Sequence, residues 1–237
     1  MKKKIFIIVL VVILVGIIVF GGVLLLGCTP IHFHSKAEDG QIKIACVGDS
    51  LTYGMLVFNP FANSYPIQLG KMLGDDYHVL NFGHSGATAC DDVADSYRKT
   101  LDYKQSIDYQ PNVVIIMLGS NDSKYHIWQD KDHYKQELVE IINIYKDLPS
   151  VERIILGIPN AGFCIGNKKD YNYDISIVNL PLVIEGVKEV ATEYGYQCVD
   201  TYELTKNHPE WYKLDGVHPN ADGAKAMAEL FYEAVIA

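Results

Sequence analysis

The segment Asn112–Leu118, with the sequence NVVIIML, decides the fold class of this chain. A short apolar run without polar alternation indicates a strand that is covered on both faces, which is typical of the centre of a parallel sheet. Parallel strands have to be joined by long crossovers, and these are usually helices. Asn112–Leu118 therefore predicts that strands and helices alternate along the chain to either side of it.

The rest of the chain after residue 40 shows this alternation. Glycine, which commonly ends a helix, follows two of the helical patterns. The sequence predicts an α/β fold of three layers, α/β/α, around a central parallel sheet. Further strand patterns cover residues 42–47, 78–82, 153–157 and 197–200, and helical patterns run from Ser64 to Leu73, from Asp132 onward, from about Ser176 to Tyr194, and after Asn220.

The N-terminal region carries a lysine triplet and then an uncharged apolar run, Ile5–Gly27. About 20 apolar residues cross a bilayer as a helix, and a basic flank stays on the cytoplasmic side. Leu25–Cys28 also resembles the lipobox of bacterial lipoproteins, which is cleaved before the cysteine that receives a lipid. Residues 1–28 are therefore predicted to be a signal anchor or a lipoprotein signal peptide, residues 29–40 a tether, and residues 41–237 one domain. Either alternative holds that domain at the outer face of a bacterial membrane.

Charge and cysteine spacing limit the partners and cofactors. The formal net charge is −9 and no basic stripe occurs, so nucleic acid is not expected as a partner. The sequence contains 5 cysteines but no Cys-x-x-Cys or His-x-x-x-His spacing, which would indicate a zinc site. Cys46 and Cys198 lie in strand patterns and are expected to be buried apolar side chains. The sequence predicts no metal or other cofactor and assigns no disulfide.

The motif Gly48-Asp49-Ser50-Leu51 directly follows the first strand pattern. Glycine allows a sharp turn, so that Ser50 presents its Oγ and its backbone N–H at the rim of the sheet. Ser50 is therefore a candidate nucleophile, and Asp49 is interpreted as a carboxylate that holds the loop. Taken alone, the same residues are common in a turn followed by a helix cap.

Two further motifs offer hydrogen-bond donors for a negatively charged oxygen. The motif Asn81–Gly86 begins in the last residues of the second strand pattern and continues into the loop after it, and its last residue can present a backbone N–H with no side chain in the way. Gly119–Asp122 follows the central strand pattern, and the amide of Asn121 is a neutral donor. The backbone N–H groups of Ser50 and Gly86 and the Asn121 amide are therefore the candidate oxyanion donors.

The fourth motif, Asp215-Gly216-Val217-His218, lies in a loop before the last helical pattern. A carboxylate three residues before a histidine can accept a hydrogen bond from Nδ1 and leave Nε2 facing a nucleophile. His218 is the candidate general base, and Asp215 is the carboxylate that orients it. His84 is interpreted as a wall of the cleft or a solvent-facing residue, because His218 has the better-placed carboxylate.

In this order the motifs resemble the four sequence blocks of the SGNH/GDSL hydrolase family, which carry Ser, Gly, Asn and His. The resemblance extends from about Ile42 to the C-terminus. It implies a flavodoxin-like fold and ester hydrolysis without a metal. The residues that match the family's nucleophile, oxyanion donors, base and orienting carboxylate are Ser50, Gly86, Asn121, His218 and Asp215.

Within that family, the segments around Ser50 and Gly86 resemble bacterial carbohydrate O-acetylesterases. The expected substrate is therefore a short acyl ester, chiefly O-acetyl, on carbohydrate. A lysophospholipase or thioesterase is the alternative, favoured by the apolar N-terminal segment, and a catalytically silent glycan-binding module is disfavoured because every catalytic role is filled. Loop aromatic residues either stack on sugar rings or pack within the loops; these are Tyr125, Trp128, Phe163, Tyr171 and Tyr173.

Overall fold

The computed structural model describes residues 9–16 and 34–237. Residues 9–16 are helical (α1), with exposed apolar side chains. Most of the predicted membrane or signal segment, including Cys28, and the first part of the tether lie outside the described residues. No helix within residues 9–16 and 34–237 is both long and apolar enough to cross a membrane.

The described domain is built on a parallel sheet in the order β2-β1-β3-β4-β5. This order is that of flavodoxin-like folds. The central strand β3 is buried at every position, as the apolar run predicts. The strand predictions are confirmed to within a residue or two at each end. The strands are β1 Ile42–Gly48, β2 Tyr77–Gly83, β3 Val113–Met117, β4 Arg153–Ile158 and β5 Gln197–Asp200.

Helices connect the strands and cover both faces of the sheet. The longer ones are α4 Tyr65–Leu73, α5 Leu101–Asp108, α6 Lys131–Lys146, α7 Leu180–Tyr194 and α9 Ala221–Ile236. Short helices are α2 Ser50–Tyr53, α3 Pro60–Asn63 and α8 Thr201–Thr205, and single 3₁₀ turns occur at Tyr97–Lys99, Asn172–Asp174 and Pro209–Trp211.

The ends of these helices follow from local sequence. The Asp130 side chain accepts a hydrogen bond from a backbone N–H in the first turn of α6, and the Asn220 side chain does the same for α9. Gly74 and Gly195 end α4 and α7, as the sequence predicts. The helix expected from about Ser176 begins later, at Leu180. Ser176 Oγ instead accepts hydrogen bonds from two backbone N–H groups in a turn that precedes the helix.

Alternate residues of each strand enter different cores, which makes the fold three-layered. Ile44, Cys46 and Ile115 pack with α4 and α9 on one face. Ala45 and Val114 pack with α6 and α7 on the other face. The predicted α/β fold with helices on both sides of a parallel sheet is confirmed.

The cysteines within the described residues are free thiols. Cys46 is fully buried, as predicted, and burial raises the pKa of its thiol far above the ordinary value. Cys198 is only partly buried in the edge strand β5, whereas the sequence predicts a buried side chain.

The register of the strands brings the motif-bearing loops together. Gly48 at the end of β1 is paired with Gly83 at the end of β2 and with Met117 at the end of β3. The carboxyl ends of these neighbouring strands therefore lie at one rim of the sheet, where ligands of open α/β sheets bind.

Candidate active site

The turn after β1 presents Ser50 at the start of the short helix α2. Asp49 Oδ1 accepts a hydrogen bond from the Leu51 N–H at 2.9 Å and caps this helix. A Cβ at Gly48 would lie 2.1 Å from Thr52 Oγ1 and 2.6 Å from the Met117 carbonyl oxygen. Only glycine therefore lets α2 fold this closely over the end of the sheet.

His218 connects Ser50 to Asp215. Its Nε2 lies 2.9 Å from Ser50 Oγ, and its Nδ1 lies 2.7 Å from Asp215 Oδ2. Asp215 accepts from His218 when the proton is on Nδ1, and Nε2 can then accept from the Ser50 hydroxyl. The structure thus brings the predicted nucleophile, base and orienting carboxylate into one chain of hydrogen bonds.

The Asp215 carboxylate is held by more than the imidazole. Its Oδ1 accepts hydrogen bonds from the Val217 and His218 N–H groups, each at 3.0 Å. Partial burial acts to raise the pKa of Asp215, but the hydrogen bonds from the His218 side chain and from these two N–H groups outweigh it and lower the pKa to about 2. Asp215 is therefore ionised at neutral pH and keeps the imidazole in one orientation.

The candidate oxyanion donors lie around the same cleft as Ser50 and His218. Gly86 has a φ of 87°, which favours glycine, in the loop after β2. Asn121 Nδ2 donates to the Ala87 carbonyl at 3.0 Å and lies 3.4 Å from Asp49 Oδ2. The cleft has a volume of about 200 Å³ and is lined by Ser50, Met55, Ser85, Gly86, Asn121, Lys124, Tyr173, Ile175, Val217 and His218.

Two buried carboxylates hold these loops. Asp49 is 1% exposed, and desolvation raises its pKa to about 6 although the Leu51 N–H donates to it. Asp122 is fully buried and accepts hydrogen bonds from the Ala89 and Cys90 N–H groups at 3.1 and 3.0 Å. The loop that carries Gly86 is therefore anchored to the loop that carries Asn121, a role of Asp122 that the sequence did not reveal.

Residues 46–226 match the model of the GDSL-like lipase/acylhydrolase family. The chain belongs to this family. The match spans all four sequence motifs, and it confirms the resemblance drawn from them.

Relatives of this GDSL-family chain include an acetylxylan esterase of Xylanibacter ruminicola, 32% identical over 215 residues, which cover 84% of this chain and 44% of that protein. A multidomain esterase of Ruminococcus flavefaciens is 27% identical over 231 residues, which cover 83% of this chain and 28% of that protein. The chain thus spans less than half the length of these two curated relatives. A solved carbohydrate acetylesterase family member from Sinorhizobium meliloti shares the fold, with a TM-score of 0.67, 22% identity, and coverage of 82% of this chain and 97% of that one.

Tyr173 covers the His218–Asp215 pair of this GDSL-family cleft. Its ring lies 5.2 Å from the His218 ring in an edge-on arrangement, and its hydroxyl donates to Asp215 Oδ2 at 3.2 Å. Tyr173 and Asp174 both have left-handed backbone conformations, with φ of 62° and 60°. Such strain in two consecutive residues other than glycine points to a functional constraint on this segment.

The other loop aromatic residues are placed differently. Phe163 packs against Tyr212, and Trp128 packs against Tyr134. Tyr125 is exposed and its hydroxyl donates to Asp170. Of the two roles that the sequence left open, packing therefore describes Phe163 and Trp128, although Trp128 packs on helix α6 and not within a loop.

His84 also has a carboxylate partner, which the sequence did not reveal. Its Nδ1 lies 2.7 Å from Asp102 Oδ2, and Asp102 lies in the first turn of α5. His84 does not line the Ser50 cleft but lies on the wall of a neighbouring one. No group of three or more His, Cys, Asp or Glu side chains suited to a metal ion occurs in the part of the chain that the structure describes.

Proposed function

We propose that this chain is a carboxylic ester hydrolase that removes short acyl groups, chiefly acetyl, from carbohydrate. The observation that carries this proposal is the continuous chain of hydrogen bonds from Ser50 Oγ through His218 to Asp215. The same constellation performs acyl transfer on unrelated folds, because it pairs a weak nucleophile with an oriented base.

In the proposed reaction, Ser50 Oγ attacks the ester carbonyl carbon while its proton passes to His218 Nε2. The carbonyl oxygen becomes an oxyanion that the backbone N–H groups of Ser50 and Gly86 and the Asn121 amide stabilise. This intermediate collapses, the bond to the alcohol oxygen breaks, and His218 gives its proton to the departing alcohol. Water, deprotonated by His218, then attacks the acyl-serine ester and releases the acid and free Ser50.

The Asn121 amide changes partners in this scheme. Its Nδ2 already donates to the Ala87 carbonyl, and the second contact, to Asp49 Oδ2, is long at 3.4 Å. A developing oxyanion is a better acceptor at that position than this long contact. We expect Asn121→Ala to lower kcat by about 10² to 10³ with little change in KM, because the oxyanion is present only in the transition state.

Two features support an acetyl ester of a carbohydrate as the substrate. The cleft beside Ser50 is about 200 Å³, which suits a small acyl group, whereas a fatty acyl chain needs a long apolar groove. The relatives include proteins named as an acetylxylan esterase and as a carbohydrate acetylesterase.

The direct test compares hydrolysis of p-nitrophenyl acetate and p-nitrophenyl octanoate, together with acetate release from acetylated glycans. We expect higher kcat/KM for the acetate ester and release of acetate from a glycan. Preference for the octanoate ester would favour a lysophospholipase or thioesterase instead. Glycan binding without turnover of either ester would favour a silent binding module.

Hydrolysis is also proposed to need no metal, because the motif set supplies nucleophile, base and oxyanion donors from the chain itself. Activity on p-nitrophenyl acetate should survive dialysis against a chelator. Loss of activity that zinc restores would contradict this proposal.

The proposed location is the outer face of a bacterial membrane. The lysine triplet, the apolar run Ile5–Gly27 and Cys28 support a signal anchor or a lipid-modified N-terminus. Protease added to intact spheroplasts should digest the domain, and membranes should retain the intact protein. Complete protection from the protease would contradict this topology.

A further inference from the structure

A second cleft adjoins the Ser50 cleft. It has a volume of about 310 Å³, and the two clefts share Ser85 and Gly86, which form the ridge between them. A Cβ at Gly86 would meet no atom within 4 Å, so the ridge is open at this point. The second cleft is lined by His84, Ser85, Gly86, Ala87, Ala94, Asp95, Ser96, Lys99, Thr100 and Leu101.

His84 presents its second ring nitrogen on this wall. Its Nδ1 lies 2.7 Å from Asp102 Oδ2, and when the proton is on Nδ1, Nε2 can accept a hydrogen bond from a ligand. The His84 side chain is 36% exposed, whereas the Asp102 side chain is only 15% exposed. Asp102 therefore orients the ring from behind while part of the ring remains open to a ligand.

The lining matches a sugar better than a hydrocarbon chain. Asp95, Ser96, Lys99 and Thr100 contribute a mostly polar wall, and the Leu101 side chain stands 66% exposed beside them. A sugar ring has hydroxyl groups at its edge and apolar C–H groups on its faces, so it suits such a mixture. The side chains of Ser96, Lys99 and Thr100 already form hydrogen bonds within this loop region. An acyl chain in this cleft would cover the exposed edge of His84 without offering it a hydrogen bond, which costs free energy.

We propose that this second cleft binds a sugar unit on the alcohol side of the ester, with His84 accepting a hydrogen bond from a sugar hydroxyl. This inference rests on the proposed function. An acetyl group has only two carbons and is fully accommodated beside Ser50, so the part of the substrate that crosses the Ser85–Gly86 ridge has to be the alcohol. The ligand class is therefore a neutral oligosaccharide that carries an acetyl ester.

The test measures kcat/KM for an acetylated xylo-oligosaccharide and for p-nitrophenyl acetate, and takes the ratio of the two. We expect His84→Ala to lower this ratio about tenfold, as for the loss of one hydrogen bond to a bound hydroxyl. Leu101→Asp should lower it as well, and this position is exposed enough for the domain to fold normally.

The matched control is His208→Ala. His208 forms the same kind of pair, with its Nδ1 2.7 Å from Glu210 Oε1, but it lines neither cleft. The control should keep the wild-type ratio. An unchanged ratio in both His84→Ala and Leu101→Asp would overturn the sugar site.

The same measurements separate this inference from the proposed function. If the wild-type protein does not hydrolyse p-nitrophenyl acetate, the proposed function itself fails. If it does, but the variants instead lower kcat/KM for p-nitrophenyl octanoate relative to the acetate, then the second cleft takes the acyl chain and the sugar site is wrong.

Discussion

Two His–Asp pairs in this domain have the same contact and different surroundings. His218 and His84 each place Nδ1 2.7 Å from an aspartate Oδ2. The side chains of the first pair, with Asp215, are 5% and 12% exposed, whereas those of the second, with Asp102, are 36% and 15% exposed. His218 has Ser50 Oγ 2.9 Å from its other nitrogen, whereas His84 lines a cleft of mixed polarity.

The difference teaches that a histidine with an aligned carboxylate is not by itself a base for catalysis. Asp215 accepts hydrogen bonds from the backbone N–H groups of Val217 and His218 as well as from the imidazole, so its orientation does not depend on the His218 side chain alone. His218 itself is buried, and the lower local dielectric strengthens the electrostatic interactions of its side chain. The more exposed pair, His84 and Asp102, is suited to binding a ligand, because the ligand can supply the hydrogen-bond partner of the second ring nitrogen of His84.

The comparison is tested most strongly by removing each histidine. We expect Ser50→Ala and His218→Ala each to lower kcat on p-nitrophenyl acetate by about 10⁶, and the double variant to be no worse, because nucleophile and base act as one unit. His84→Ala should keep kcat on p-nitrophenyl acetate close to the wild-type value, because this substrate has no sugar hydroxyl for His84 to bind. If a folded His84→Ala protein were as impaired as His218→Ala, the base would be wrongly assigned.

The two carboxylates give the next largest contrast. Asp215→Asn should lower kcat by about 10⁴, less than loss of His218, because an imidazole is still present but no longer held in the right tautomer. Asp102→Asn should change kcat on p-nitrophenyl acetate far less. Circular dichroism of each variant serves as the control for folding. Equal losses of kcat in the two variants would remove the distinction between the pairs.

Asp49, which interacts electrostatically with His218, gives a prediction for stability. Its folded-state pKa of about 6 lies above the ordinary 3.8, so its contribution to stability is present below about pH 4 and is lost as the pH rises through 6. A shift of about two units corresponds to about 3 kcal/mol. In urea unfolding, we therefore expect the free energy of unfolding of Asp49→Asn, relative to that of the wild type, to be higher at pH 8 than at pH 4. The change in this difference should be up to about 3 kcal/mol. A difference that is independent of pH would contradict the raised pKa.

The smallest expected effect concerns Tyr173, which lies beside the His218–Asp215 pair. Tyr173→Phe removes the hydroxyl that donates to Asp215 Oδ2 but keeps the ring beside His218. We expect kcat to fall by about three- to tenfold with KM unchanged, because the carboxylate loses one of its orienting donors. Tyr173→Ala, which also removes the ring, should in addition raise KM for a glycan ester. A rise in KM alone in Tyr173→Phe would assign Tyr173 to binding.

The sheet could be predicted from the sequence because each strand shows its pattern within its own few residues. The run that became β3 is continuously apolar, as is the part of β1 from Ile44 to Val47, and only burial between two helical layers suits such runs. The contact between Asp215 and His218 was likewise predictable, because the two residues lie only three positions apart in one loop.

Contacts between distant loops could not be predicted in this way. Helix α5, with the sequence LDYKQSID, has few apolar residues and gave no clear helical pattern, so the carboxylate that it brings to His84 stayed hidden. Asp122 reaches the backbone of Ala89 and Cys90 across 33 and 32 positions of the chain. A hydrogen bond from a side chain to a distant backbone leaves no periodic signal in either segment.

The contact between Ser50 and His218 joins residues 168 positions apart. Closing so long a loop costs conformational entropy that only the packed sheet and its helices can offset, and such distant contacts are characteristic of slow folding. No single strand–helix–strand unit of this chain contains both residues. During refolding, the return of ester hydrolysis should therefore lag behind the recovery of helical circular dichroism, which makes turnover a sensitive probe of the last step of folding.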